Sequence, residues 1–178
     1  MMQIEFRGKA SNNGEWIFGY LIKVQGNYHI LSEDDMREDG HHVRQDSDRP
    51  TWVEPATIGQ FTGLVDKDGK KIYTGDIVEY YYLDSYCVNP DCDYALRGYS
   101  SFIRKITHEV VYTDCVFGVN EGYNIVSLAY CGLTEDDIKE LKELEEQDAY
   151  FDQNGYEIND SIVGIKVIGN IHDNPEIN

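Results

Sequence analysis

Positive charge is scarce in this sequence: 15 Lys and Arg stand against 33 Asp and Glu in 178 residues, a formal net charge of -18 with a pI near 4.4. Contacts to phosphate need Lys and Arg to displace counterions, so this balance argues against direct binding of nucleic acid or of an anionic membrane. Long apolar runs are missing too. No stretch approaches the roughly 20 apolar residues that a membrane span requires. Met1-Met2-Gln3-Ile4-Glu5 has neither a basic leader nor an apolar signal core, so a cytoplasmic protein is expected. Cysteine is limited to Cys87, Cys92, Cys115 and Cys131, for which reduced, structural thiols are expected. Cys87 and Cys92 are spaced more widely than the usual zinc pair, and no second close Cys or His pair follows them.

Motifs that carry chemistry are also absent. There is no Gly-rich phosphate loop ending in Lys-Ser/Thr, no dinucleotide fingerprint between strand and helix, no nucleophile elbow and no His-Glu-x-x-His. Asp66 and Asp68 open like a calcium loop, but the closing Glu is lacking and a hairpin accounts for the Asp-Gly pattern. Asp76, just after Gly75, is the acid best placed for chemistry, and it reads as a turn cap bonded to a backbone N–H. The segment Ser32 to Pro50 carries Glu33, Asp34, Asp35, Glu38, Asp39, His41 and His42 without a sustained period, and reads as a solvated loop. Adjacent histidines on an extended chain point to opposite faces and serve one ion poorly. No catalytic residue, cofactor or metal is therefore expected. A metal-dependent enzyme using this loop with Asp76 is the minority reading.

What the sequence does contain is a foldable core. Its 41% hydrophobic and 12% aromatic content, with 14 Tyr, is too rich for a disordered acidic chain. A chain of this length buries roughly 70% of its unfolded surface. Strand and turn signals agree best from Thr57 to Val78. Ile58, Phe61, Leu64 and Val65 lead into Asp66-Lys67-Asp68-Gly69, a hairpin loop; Lys70 to Tyr73 returns, Thr74-Gly75-Asp76 turns again, and Ile77 and Val78 open a new strand.

Around this centre, Ile4 to Arg7 reads as a strand, and Trp16 to Val24 as another whose aromatics are expected in the core. Gln25-Gly26-Asn27 closes a hairpin onto Tyr28 to Leu31. Tyr80, Tyr81 and Tyr82 prolong the strand after Val78 and are expected to offer one or two rings to an interaction surface. Asp84 to Ser101 reads as irregular, Phe102 to Tyr112 and Cys115 to Val119 as strands, and Ile162 to Ile171 as the last strand. The clearest helix runs from Glu135 to about Gln147. Thr134 is its N-cap, Asp137 stands three residues later, and Leu133 and Ile138 make a hydrophobic staple. Ile138, Leu141 and Leu144 form its apolar stripe, and Glu140, Glu143 and Glu146 belong to its acidic face. The expected fold is mainly β with a minor α component: bent or coiled antiparallel sheets, compatible with a barrel, plus one acidic helix near residues 135–147.

Three blocks resemble the YopX family of phage and prophage proteins. Phe6-Arg7-Gly8-Lys9 with Gly14-Glu15-Trp16-Ile17-Phe18-Gly19-Tyr20-Leu21 is similar to its opening. The centre is similar to its signature through Gly59, Gln60, Phe61, Thr62, Gly63, Asp66, Gly69, Tyr73, Gly75, Asp76, Ile77 and Val78. Val167-Ile168-Gly169-Asn170-Ile171-His172-Asp173-Asn174-Pro175-Glu176 resembles its ending, with Gly169, Asn170 and Pro175 as signature positions. The resemblance implies a single mainly β domain over 1–178, with variable insertions near 82–105 and 118–161, and it brings no catalytic residue. A phage accessory protein acting through protein contacts and self-association is the leading expectation. The alternative is an acidic DNA mimic that occupies a host nucleic-acid-binding protein.

Overall fold

The computed structural model describes residues 4–32, 51–87, 99–113, 115–121, 124–146 and 163–177. These carry two antiparallel sheets and one α-helix. The first sheet has the order β4-β3-β2-β1-β5-β6, built from β1 (Phe6–Lys9), β2 (Trp16–Val24), β3 (Asn27–Leu31), β4 (Thr51–Trp52), β5 (Gly59–Val65) and β6 (Lys71–Tyr73). The second has the order β10-β9-β8-β7-β11, built from β7 (Asp76–Cys87), β8 (Tyr99–Thr113), β9 (Val116–Glu121), β10 (Asn124–Ser127) and β11 (Ile165–Asn170). Neither closes into a barrel. No described helix is long and apolar enough to cross a membrane.

Local chemistry explains most boundaries. Gln25 and Gly26, at φ 51° and 90°, make the two-residue loop whose twist suits the β2–β3 hairpin. The helix α1 (Glu135–Glu146) starts as expected: Asp137 N–H donates to Thr134 Oγ1 at 3.2 Å, while Asp137 Oδ2 accepts the Thr134 N–H at 2.7 Å. Leu133 and Ile138, the staple pair, share one buried cluster with Leu141 and Ile103. The side chains of Leu144 and Glu146 lie outside the described residues.

Three expectations are corrected. The irregular reading of Asp84 to Ser101 fails at both ends, because β7 runs to Cys87 and β8 begins at Tyr99, with Asp84 facing Phe102 and Cys87 facing Tyr99. Backbone pairing carries this hairpin through polar residues whose own strand preference is weak. Residues 88–98, including Cys92, lie outside the described set, as do 33–50 with His41 and His42. The tyrosine run is no exposed surface. Tyr80 is 2% exposed inside the main core of Val78, Val110, Val119, Ile165 and Val167, Tyr82 is packed against the same core, and Tyr81 is packed on the helix-side cluster. Both faces of β7 are covered at these three positions, so each of the three rings is at least half-buried. The aromatics of β2 show the reverse error. Phe18 is 46% and Tyr20 44% exposed, because the first sheet's core, with Ile30 and Val53, lies under its other face.

Candidate functional site

Charged residues alternate along β1 and the residue before it, which sends Glu5, Arg7 and Lys9 to one side of the first sheet. There they meet the turn that joins the two sheets. Arg7 Nη1 donates to Asp76 Oδ1 at 2.5 Å, Arg7 Nη2 to the Thr74 carbonyl at 3.3 Å, and the Tyr73 N–H to Asp76 Oδ2 at 2.8 Å. Both ends of this ion pair are nearly sealed from solvent, at 7% and 1% exposure. The Arg7 guanidinium lies 4.7 Å from the Trp16 ring and 5.1 Å from the Tyr73 ring, so aromatic faces replace its water. Burial pushes the Asp76 carboxyl upward, and Arg7 and the Tyr73 N–H oppose that push.

A second triad adjoins the first. The Tyr73 hydroxyl donates to Glu5 Oε1 at 2.5 Å, and Lys71 pairs with Glu5 Oε2. Burial, then the hydrogen bond to Glu5, hold the Tyr73 phenol well above its ordinary range, so it remains a neutral donor. Gly59 admits the cluster: a Cβ there would stand 2.5 Å from the Thr74 carbonyl oxygen and 3.2 Å from Arg7 Nε. Gly59→Ala is expected to cost about 1–3 kcal/mol through this overlap, read as a lower urea midpoint at unchanged slope.

The chain's end locks onto the same site. Asp173 accepts from Trp16 Nε1 at 2.8 Å and from Asn170 Nδ2 at 2.7 Å, and it pairs with Lys9. The hydrogen bond from Asn170, then that from Lys9, hold its carboxyl well below the usual range. His172, its ring 6.1 Å from that of Trp16, is pushed below its ordinary range by burial and then by the charges of Arg7 and Lys9. Every acid in these groups has a structural partner, and no metal-ligand cluster occurs among the described residues. Asp76 is bonded on both oxygens, to Arg7 and to the Tyr73 N–H, the second being the turn-capping bond expected of it.

Compared with known families, residues 5–177 match the family described as YopX protein. The chain belongs to the YopX family. No curated protein matches it. A solved structure, protein EF1440 from Enterococcus faecalis, is similar at 20% identity over 99% of this chain and 98% of that chain, with a TM-score of 0.39.

The residues read from the sequence as resembling the YopX signature lie in and around the turn that joins the sheets. Asp66 accepts from the N–H groups of Asp68 at 2.9 Å, Lys70 at 2.8 Å and, across the junction, Val167 of β11 at 3.0 Å. Gly69 lies in the same hairpin loop, and Gly63 lies where the β5–β6 register shifts between Phe61 and Val65. Gln60 and Thr74 exchange bonds, Thr62 Oγ1 donates to the Ile72 carbonyl, and the Phe61 and Tyr73 rings are 5.6 Å apart. Gly75, at φ 80°, turns the chain into β7: its N–H reaches the Val110 carbonyl and its carbonyl accepts from Ile171. Ile77 and Val78 are fully buried. Asn170 Oδ1 accepts from the His172 and Asp173 N–H groups, a Cβ on Gly169 would meet Asn174 Oδ1 at 2.7 Å, and Pro175 opens the final 3₁₀ turn. Sequence reading missed Glu5, Arg7 and Lys71. Charges alternating along an otherwise β-forming opening were the available signal.

The opposite half of the same face is quite different. The registers Lys9↔Trp16, Arg7↔Phe18, Tyr20↔Leu31 and His29↔Trp52 put Phe18, Tyr20 and Trp52 on the side of Arg7. Phe18, Tyr20, Val24 and Trp52 are 46%, 44%, 47% and 53% exposed. On α1, Glu140 and Glu143 are exposed.

Proposed function

We propose that this YopX protein is a non-enzymatic accessory module of a phage or prophage that works in the host cytoplasm by protein contact, and that it associates with a second copy of itself. The observation that carries this is the open aromatic face of β2, β3 and β4. In a chain of net charge -18, these strands contain no Asp or Glu. Two such molecules repel over most of their surfaces, and strands that themselves carry no carboxylate are where apolar burial can outweigh that repulsion. A closed, self-complementary pair would also cover the short edge strand β4.

The test is mass in solution by light scattering from low to high salt. Wild type is expected to associate more strongly as salt rises, since salt screens repulsion and leaves apolar contact intact. Tyr20→Lys with Trp52→Lys is expected to give a monomer with stability within about 0.5 kcal/mol of wild type, both sites being exposed. A wild type that stays monomeric at every salt concentration contradicts the proposal.

A second reading, the acidic DNA mimic, draws support from the exposed carboxylates of α1. Its salt dependence has the opposite sign: capture of a basic nucleic-acid-binding protein from host lysate would weaken as salt rises.

A further inference from the structure

A cleft of about 350 Å³ opens between the sheets, beside the buried network but separate from its acids. Its walls are β8 from Glu109 to Tyr112, the Thr74-Gly75 turn, the 3₁₀ turn Pro55–Thr57 and Ile171-His172. Those walls are tied together, the Gly75 N–H donating to the Val110 carbonyl at 2.8 Å and the Ile171 N–H to the Gly75 carbonyl at 3.0 Å. The space is therefore built into the fold. Ile58, Val111 and Ile171, each part-buried, supply apolar wall, and Glu109 is the carboxylate.

Glu109 is unusual here. The carboxylates of Glu5, Asp66, Asp76 and Asp173 each have hydrogen-bonded partners, whereas the carboxylate of half-buried Glu109 has no hydrogen bond or ion pair among the described residues. Burial alone pushes its carboxyl upward, with no cation to compensate. His172, the basic side chain among the cleft's lining residues, is pushed downward by burial and then by the charges of Arg7 and Lys9, which disfavours it as an internal counter-ion. A desolvated carboxylate against an apolar wall is complementary to a cation carried on an aliphatic stem. A divalent metal is a poorer fit, since it wants three or more protein donors and the described residues bring no such group together.

We propose that this cleft binds an aliphatic ammonium group, with Glu109 as its counter-ion and the apolar wall around its stem. The source is either a small free amine or the side chain of a protein lysine, which share this chemistry.

The experiment is calorimetric titration of the full chain with n-butylammonium chloride and, separately, with a short neutral peptide containing one lysine, at neutral pH and physiological salt. Saturable binding is expected for at least one probe. Binding of the small amine alone points to a free amine, and tighter binding of the peptide points to a protein lysine. Glu109→Gln is expected to weaken binding at least ten-fold, while Glu140→Gln, on the exposed face of α1, leaves it unchanged. Ala56→Trp, at an exposed position on the cleft's rim, is expected to abolish binding with Glu109 intact, and so keeps the test valid if Glu109→Gln fails to fold. Absence of binding by both probes overturns the proposal. Equal weakening by Glu109→Gln and Glu140→Gln also overturns it, by assigning the attraction to overall charge.

Discussion

Asp76→Ala is expected to lower the unfolding free energy by about 3–5 kcal/mol, the cost of leaving a buried charge without its partner. The removed carboxylate holds both the Arg7 guanidinium and the Tyr73 N–H. Neither donor has water to turn to, because Trp16 and Tyr73 flank Arg7 and its side chain is 7% exposed. Replacing both partners by apolar residues of similar size, as in Arg7→Met with Asp76→Leu, is expected to recover much of the loss, since it removes the desolvated charge along with the bond. Urea unfolding of wild type, the single variant and the double variant measures this directly. A single-variant loss below about 1 kcal/mol, typical of a solvent-exposed pair, contradicts the burial described for this site.

The second large effect is expected at Asp66. Its carboxylate accepts three backbone N–H groups, two within its own hairpin loop and one from Val167 on the edge of the other sheet. Together with the Lys67 N–H to the Ile165 carbonyl at 2.9 Å, it ties the β5–β6 hairpin to β11. Asp66→Ala is expected to cost about 2–4 kcal/mol, since orphaned donors carry most of the penalty. The pH dependence has a definite sign. Burial alone raises the Asp66 carboxyl, but the N–H groups of Val167, Lys70 and Asp68 overcome that push and hold it below the usual range. Its folded value is thus below its unfolded one, so the ionised form contributes stability that is complete above about pH 4 and lost as pH falls through the folded value. The stability difference between wild type and Asp66→Asn is therefore expected to shrink below about pH 4. A difference that stays constant from neutral pH to pH 2 removes Asp66 as the acid-sensitive tie.

Much of the framework was legible because its causes are local. Thr134, Asp137, Leu133 and Ile138 start α1 through contacts within one turn. The hairpin at Asp66 to Gly69 and the turn at Gly75 depend on residues whose backbone preferences act within four positions. Asp76 bonding the N–H of Tyr73, three residues away, is of the same kind.

The candidate sites were less legible, because they depend on partners far apart in the chain. Arg7 and Asp76 are 69 residues apart, and nothing within either neighbourhood names the other. Exposure was misread at Tyr80 and Phe18 for one reason: an apolar strand of alternating residues reports that its sides differ, and only the neighbouring layers decide which side is covered. The main core and the helix-side cluster cover the two faces of β7 at Tyr80 and Tyr81, while β2 has the core beneath one face and exposed Phe18 and Tyr20 on the other. The sequence by itself determined a mainly β acidic chain, the turns, the helix and the family signature, through short-range steric and capping preferences. Tertiary structure alone decided the sealing of Arg7 with Asp76, the tie from Asp66 to β11, the exposure of the aromatics of β2 and β4 and the unpartnered carboxylate of Glu109, because burial and pairing across two sheets are properties of how layers meet.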